Sequence, residues 1–180
     1  MATLLIVGLS YGKRRKENEP NPVNRKLGRE LVGVIDDKGW HNLIVVSQWE
    51  IALQTKKDGY GAHVNLVVDE SFASYKNKKR YLDSEDVVNA AINFVKDKGI
   101  GIDGVIVVAN PFLHLAAVQK LIRSKGLNVI KYPIEKVGFD NSSEQLQWWC
   151  KGPLRFITYG IIVKLGDILN RNLHGIGEKE

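Results

Sequence analysis

A single cysteine, Cys150, leaves no partner for an internal disulfide, which fits a reducing compartment rather than a secreted, cross-linked chain. The amino terminus carries neither a basic leader nor a small-residue cleavage site, and Met1 to Gly8 reads as a buried first strand. No stretch reaches the roughly 18 uninterrupted apolar residues of a membrane helix. A cytoplasmic protein without a membrane span is the expectation.

Several chemistries are missing as well. Gly8-Leu9-Ser10-Tyr11-Gly12 runs on into Lys13 without completing Gly-x-Gly-x-x-Gly, and there is no Gly-Lys-Ser/Thr. Dinucleotide and P-loop functions of the familiar kinds lose their support. His41, His63, His114 and His174 show no paired spacing, and one thiol cannot build a thiolate site, which argues against a dedicated zinc centre. Asp69 or Glu70, together with a substrate phosphate, could hold a hydrated divalent ion. No zinc-finger spacing, RNA-binding signature, internal repeat or low-complexity tract is present.

What the chain does have is alternation. Thr3–Val7, Leu43–Val46, Val64–Val68, Val105–Val108 and Leu127–Ile130 are short, β-branched apolar runs, and helical patterns separate them. Asn21-Pro22 supplies a side-chain cap and a first-turn proline for one helix, whose buried face is Leu27, Leu31, Val34 and Ile35. Asp83 with Asp86 opens another, with Val88, Ala91, Ile92 and Val95 inward. A third follows Pro111 with Leu115, Val118, Leu121 and Ile122, and a last one starts at Gly152-Pro153 with Phe156, Ile157, Ile161 and Leu165 as its apolar side. The pattern predicts one domain over residues 1–180, a Rossmann-like three-layer α/β/α sandwich around a mostly parallel sheet of about five strands, with 134–180 a C-terminal extension and helix packed on it.

A parallel sheet sends every strand's carboxyl end to one edge, where open α/β sheets hold ligands. Ser10 follows the first strand; Ser47, Gln48 and Glu50 the second; Asp69, Glu70 and Ser71 the third; Asn110 and His114 the fourth. His114 suits acid–base work because imidazole titrates near neutrality, although a residue at a helix start also serves to bond backbone or water. Asp69 and Glu70 could orient a ribose or accept a proton, or simply end a buried strand. Ser47 has no Gly-x-Ser-x-Gly context. Ser84 and Glu85 are placed to face the cleft or to cap their helix. Trp148 and Trp149, with Gln145 and Gln147, form either an aromatic wall or a packing element for the last helix, and the Gly160–Ile161 side of that helix could support a homodimer.

The net charge of +6 and pI of about 9.3 favour anionic partners. Lys13-Arg14-Arg15-Lys16 follows the first strand, and Lys76, Lys78, Lys79 and Arg80 lie between the third strand and its helix. They serve either as anion clamps or as solvated loop charges.

Val107-Val108-Ala109-Asn110-Pro111-Phe112-Leu113-His114, a helix, then Gly126 to Pro133 resembles the YdcF/SanA/ElyC-like family. The likeness extends over about residues 3–133, through Ser47, Asp69-Glu70-Ser71 and Ser84-Glu85-Asp86. It implies a Rossmann-like domain with a polar cleft at the strand ends, in a family with members linked to bacterial envelope maintenance and a branch that binds S-adenosylmethionine. The family commonly has an Arg shortly after its His, whereas this chain continues Leu115-Ala116-Ala117-Val118, and Gln48-Trp49 replaces a glycine pair.

The expected function is binding of a small polar or anionic, nucleotide-like metabolite, with S-adenosylmethionine or a nucleotide as the cofactor class the resemblance implies, and with hydrolase or transferase chemistry. In that reading His114 and Glu70 are catalytic, and Ser10, Lys13, Arg14, Ser47, Gln48, Asp69, Ser71, Glu85 and Asn110 bind ligand. The alternative is a non-catalytic phosphate- or nucleic-acid-binding module using the basic loops.

Overall fold

A computed structural model describes residues 2–12, 19–39, 41–72 and 82–168. Four strands, β1 (Leu4–Gly8), β2 (Leu43–Gln48), β3 (Leu66–Val68) and β4 (Gly104–Val108), form one sheet in the order β3-β2-β1-β4. All pairings are parallel, with Gly8 opposite both Ser47 and Val108, and Gln48 opposite Val68. The carboxyl ends of the strands therefore lie along one edge. The helices are α1 (Pro22–Lys38), α2 (Trp49–Lys57), α3 (Ser84–Asp97), α4 (His114–Ser124) and α5 (Pro153–Ile168).

Alternation along each strand divides the core. Leu5, Val7, Val105 and Val107 pack with Val87, Val88, Ala91 and Val95 of α3 and with Val118 and Ile122 of α4. Ile6, Val45, Ile106 and Val108 turn the other way, onto Leu27, Leu31, Val34 and Ile35 of α1 and Ile51 of α2. Successive side chains of a strand point to opposite faces, so strands apolar at every position must be covered on both.

The helix starts follow the local chemistry of the sequence. The Asn21 side chain accepts the Asn24 amide at 2.7 Å with Pro22 in the first turn. Asp83 and Asp86 form a reciprocal capping box on α3. Gly39 closes α1 at φ 70°, a conformation that disfavours a β-carbon.

Three sequence expectations are revised. Trp49 and Glu50 do not lie in a loop, because α2 begins directly where β2 ends. Leu127–Ile130 does not extend the ladder: Val129 makes one parallel bridge to Val105, and the chain then leaves through Tyr132-Pro133, where proline offers no amide. The apolar side assigned to α5 is largely outward, with Ile157, Ile161 and Leu165 exposed, while Phe156 and Tyr159 pack inward.

Helices α1 and α2 meet at Gly28, where a β-carbon would stand 2.6 Å from Gln54 Cβ and 3.2 Å from the Ile51 carbonyl oxygen. Gly28→Ala would gain about 1 kcal/mol of helix propensity. Overpacking a contact that cannot yield costs about 1–3 kcal/mol, and Gln54 is buried, so the net change is expected to be a loss of about 1–2 kcal/mol. A lower urea midpoint with unchanged m-value would show it; a rise would mean the helices separate freely.

Candidate functional site

The chain steps from β1 to β2 to β3 on one side, and β4 lies on the other side of β1. The order reverses between β1 and β4, which makes their carboxyl ends the switch point of the sheet. Two buried asparagines from the start of α1 hold the loop that leaves β1. Asn24 Oδ1 accepts the Tyr11 amide at 2.7 Å, and Asn21 Nδ2 donates to the carbonyls of Tyr11 at 3.0 Å and Gly12 at 3.1 Å. Gly8 ends the strand against Ser47, whose hydroxyl would be 2.6 Å from a β-carbon there. The Ser47 hydroxyl is wholly enclosed and donates to the Gln48 carbonyl at 3.3 Å.

Beside this loop stand two buried glutamines with the same unbalanced bonding. Gln48 Oε1 accepts the Ser10 amide at 3.1 Å, and Gln145 Oε1 accepts the Gln147 amide at 3.2 Å. The donated amide hydrogens fix which side-chain atom is oxygen. Both Nε2 groups are buried and have no acceptor among the described residues. Gln145 Nε2 lies so close to Gly12, at φ 84°, that a β-carbon would meet it at 2.0 Å. Sequence reasoning placed Gln145 only with the tryptophans; nothing short of the tertiary fold puts it on the β1 loop.

At the end of β4, Asn110 Oδ1 accepts the Phe112 amide at 2.9 Å, and Nδ2 donates to the Gly138 carbonyl at 3.1 Å. Asn110 thus ties the β4 turn to the segment entering the C-terminal region. Leu113 has φ 58° and ψ −33°, and the His114 amide reaches back to the Phe112 carbonyl at 2.6 Å. Such a three-residue turn with positive φ is strained, and it sets His114 at the first position of α4. His114 Nε2 lies 2.9 Å from the hydroxyl of Ser84, the first residue of α3.

The His114 ring sits 5.7 Å from that of Tyr11, which in turn packs on Phe139 and Phe156. Burial pushes the His114 pKa down to about 4, so the imidazole is neutral at pH 7. Its Nδ1 is buried without a hydrogen-bond partner among the described residues. The Tyr11 hydroxyl is pushed well above its ordinary value by burial and by the adjacent Cys150 thiol.

The remaining candidates are spread more widely. Asp69, Glu70 and Ser71 are exposed beyond β3; Ser71 donates its amide to Asp69 Oδ1 at 2.9 Å and its hydroxyl to the same oxygen, holding that carboxyl below the usual range. Glu85 is engaged by Lys125 Nζ at 2.8 Å on the surface between α3 and α4. Glu50 is buried in the first turn of α2. Lys13 and Arg14, and Lys76, Lys78, Lys79 and Arg80, lie outside the described residues. Of the two readings of Trp148 and Trp149, the contacts are those of a packing element, with Trp149 stacked on Tyr159 at 4.2 Å.

The site brings together buried N–H donors at the β1 loop and a hydroxyl–imidazole pair where α3 and α4 begin. A neutral imidazole beside a hydroxyl is an arrangement for moving a proton to or from a hydroxyl or water. Among the described residues no group of three or more His, Cys, Asp or Glu side chains could hold a metal ion, and no helix is long and apolar enough to cross a membrane. Compared with protein-family models, with curated proteins and with solved structures, the chain finds no match.

Proposed function

We propose that this domain, a three-layer sandwich whose fifth strand is reduced to the bridge at Val129, binds a small anionic, nucleotide-like metabolite at the β1–β4 switch point and carries out hydrolysis or group transfer on it. The observation that supports this most is the pair of buried glutamine amides beside the β1 loop. Gln48 and Gln145 each have an engaged oxygen and an NH2 group without an acceptor among the described residues. A buried donor without an acceptor costs about 1–3 kcal/mol, and a phosphate or carboxylate oxygen relieves that cost. The unmet demand is for acceptors, hence for an anion.

In this reading Ser10 and the two glutamines hold the anionic group, and Asn110 shapes the β4 turn and offers its second amide hydrogen. Lys13 and Arg14 neutralise charge, Asp69, Glu70 and Ser71 form the outer rim, and His114 exchanges a proton with Ser84 or water. A pKa of about 4 makes His114 a weak base at pH 7. A bound anion beside the ring favours its protonated form and moves the pKa toward neutrality, where a general base is most effective. The resemblance to the YdcF/SanA/ElyC-like family fits this use of the strand edge and adds S-adenosylmethionine to the compounds worth testing.

The test is a thermal-shift screen of nucleotides, sugar phosphates and S-adenosylmethionine. At a hundredfold excess over Kd a ligand adds about 2.7 kcal/mol, or a rise of about 5–10 °C in Tm for a chain of this size. Gln48→Leu is expected to abolish the shift, while Ser84→Ala and His114→Gln retain binding and lose turnover. If water rather than ligand satisfies the glutamines, phosphate-bearing compounds will leave Tm unchanged. A shift that depends on Lys13 and Arg14, ignores Gln48 and appears with any oligonucleotide would replace the metabolite by nucleic acid.

A further inference from the structure

On the far flank of the sheet, α2 presents a second concave surface that the switch-point reading does not use. Trp49, Ala52, Leu53 and Lys56 follow one another at helical spacing and, with Val64 and Val67, line an open cavity of about 290 Å³. Neighbouring β3 is an edge strand, and Val67 is 44% exposed. The lining is mainly aromatic and aliphatic, with backbone of Gly61, and Lys56 is its one charged side chain. The Trp49 indole N–H is itself buried beneath this surface and has no acceptor among the described residues. Lys56 makes no ion pair among the described residues, and its stem crosses Gly61, where a β-carbon would stand 2.9 Å from Lys56 Cγ.

We propose that this cavity binds an apolar monocarboxylate, with its ring or chain against Trp49, Leu53, Val64 and Val67 and its carboxylate at the Lys56 ammonium. An apolar body is required by the walls, and an anionic head is the group that matches the one charged side chain of the lining, Lys56. The volume suits a compound of about a dozen heavy atoms at the density of a protein interior. A phosphate-rich ligand would leave most of this surface unmatched, so the cavity and the switch point call for different chemistry.

The probes are 2-naphthoate for a ring, octanoate for a chain and 2-naphthol as the uncharged analogue, titrated into the ¹⁵N-labelled protein. The reporter is the Trp49 indole N–H resonance, identified by its loss in Trp49→Phe. At least one carboxylate should move that resonance saturably, and which one does separates the ring from the chain. Lys56→Gln is expected to weaken the carboxylate about three- to fivefold, as fits a partly exposed charge pair, and to leave 2-naphthol unaffected. Val67→Trp, which fills the cavity from an exposed wall, should abolish binding. The proposal fails if 2-naphthol binds as tightly as 2-naphthoate, if Lys56→Gln changes nothing, or if the resonance stays still to 5 mM ligand, about the weakest affinity of interest. His114→Gln must leave carboxylate affinity unchanged, so failure here and failure at the switch point are read separately.

Discussion

Taking the protein from pH 7 to pH 4 is expected to remove about 3 kcal/mol of folding stability through His114 alone. Burial holds this imidazole at a pKa of about 4, against an ordinary value of 6.5. Between those values the unfolded chain binds a proton that the folded chain refuses, so stability rises with pH across the interval. The contribution is complete above about pH 6.5 and is lost as the pH falls through 4. The physical cause is burial of the ring, which packs beside that of Tyr11. Asp69 acts in a separate and lower window: its carboxyl is depressed by Ser71, so its share is lost only as the pH drops below the ordinary carboxylate range. Urea unfolding at pH 7, 5.5 and 4 should show a steep decline in the wild type and a much flatter one in His114→Gln. An equal decline in both would mean that His114 is solvated and titrates normally, and it would remove the reason for assigning it a neutral form at pH 7.

The same residue shows where sequence reasoning reaches and where it stops. His114 was readable as a strand-end candidate because β-strand, turn and helix signals follow one another along 105–125, and that order is local. Ser84 is readable only as a residue that faces the cleft or caps its helix, and its pairing with His114 is not, since the two lie thirty positions apart and meet because α3 and α4 cover the same face of the sheet. Helix starts were legible for a related reason: the Asn21 cap and the Asp83–Asp86 box are built from neighbours in the chain. Whether the apolar side of α5 faces core or partner stays open in the sequence because apolar spacing reports that a stripe exists and carries no information on what covers it. The single bridge at Val129 is a matter of degree, since an apolar run of four looks the same whether it forms one bridge or a full strand. Gln145 is the clearest case. Its role depends on a distance of more than a hundred residues closing onto Gly12, and no period or motif encodes that.

That closure makes Gly12→Ala the other substitution with a large expected effect. Gly12 has φ 84°, where an L side chain costs of order 1 kcal/mol, and the added methyl would fall 2.0 Å from Gln145 Nε2. Gln145 is fully buried, with its oxygen bound to the Gln147 amide, so it cannot swing away without breaking that bond. Nor can the loop shift easily, because Asn21 and Asn24 both hold the Gly12 carbonyl. Strain, overlap and a broken buried hydrogen bond together predict a loss of about 2–4 kcal/mol, which lowers Tm by about 5–15 °C. Shortening Gln145 should then relieve the overlap, so Gly12→Ala with Gln145→Ala is expected to be more stable than the sum of the two single changes by about 1–2 kcal/mol. Additive losses would show that the glycine answers to backbone conformation alone. A coupled pair would instead fix the C-terminal segment as part of the wall of the β1 loop, and Gly12→Ala should then also lose the thermal shift given by phosphate-bearing ligands.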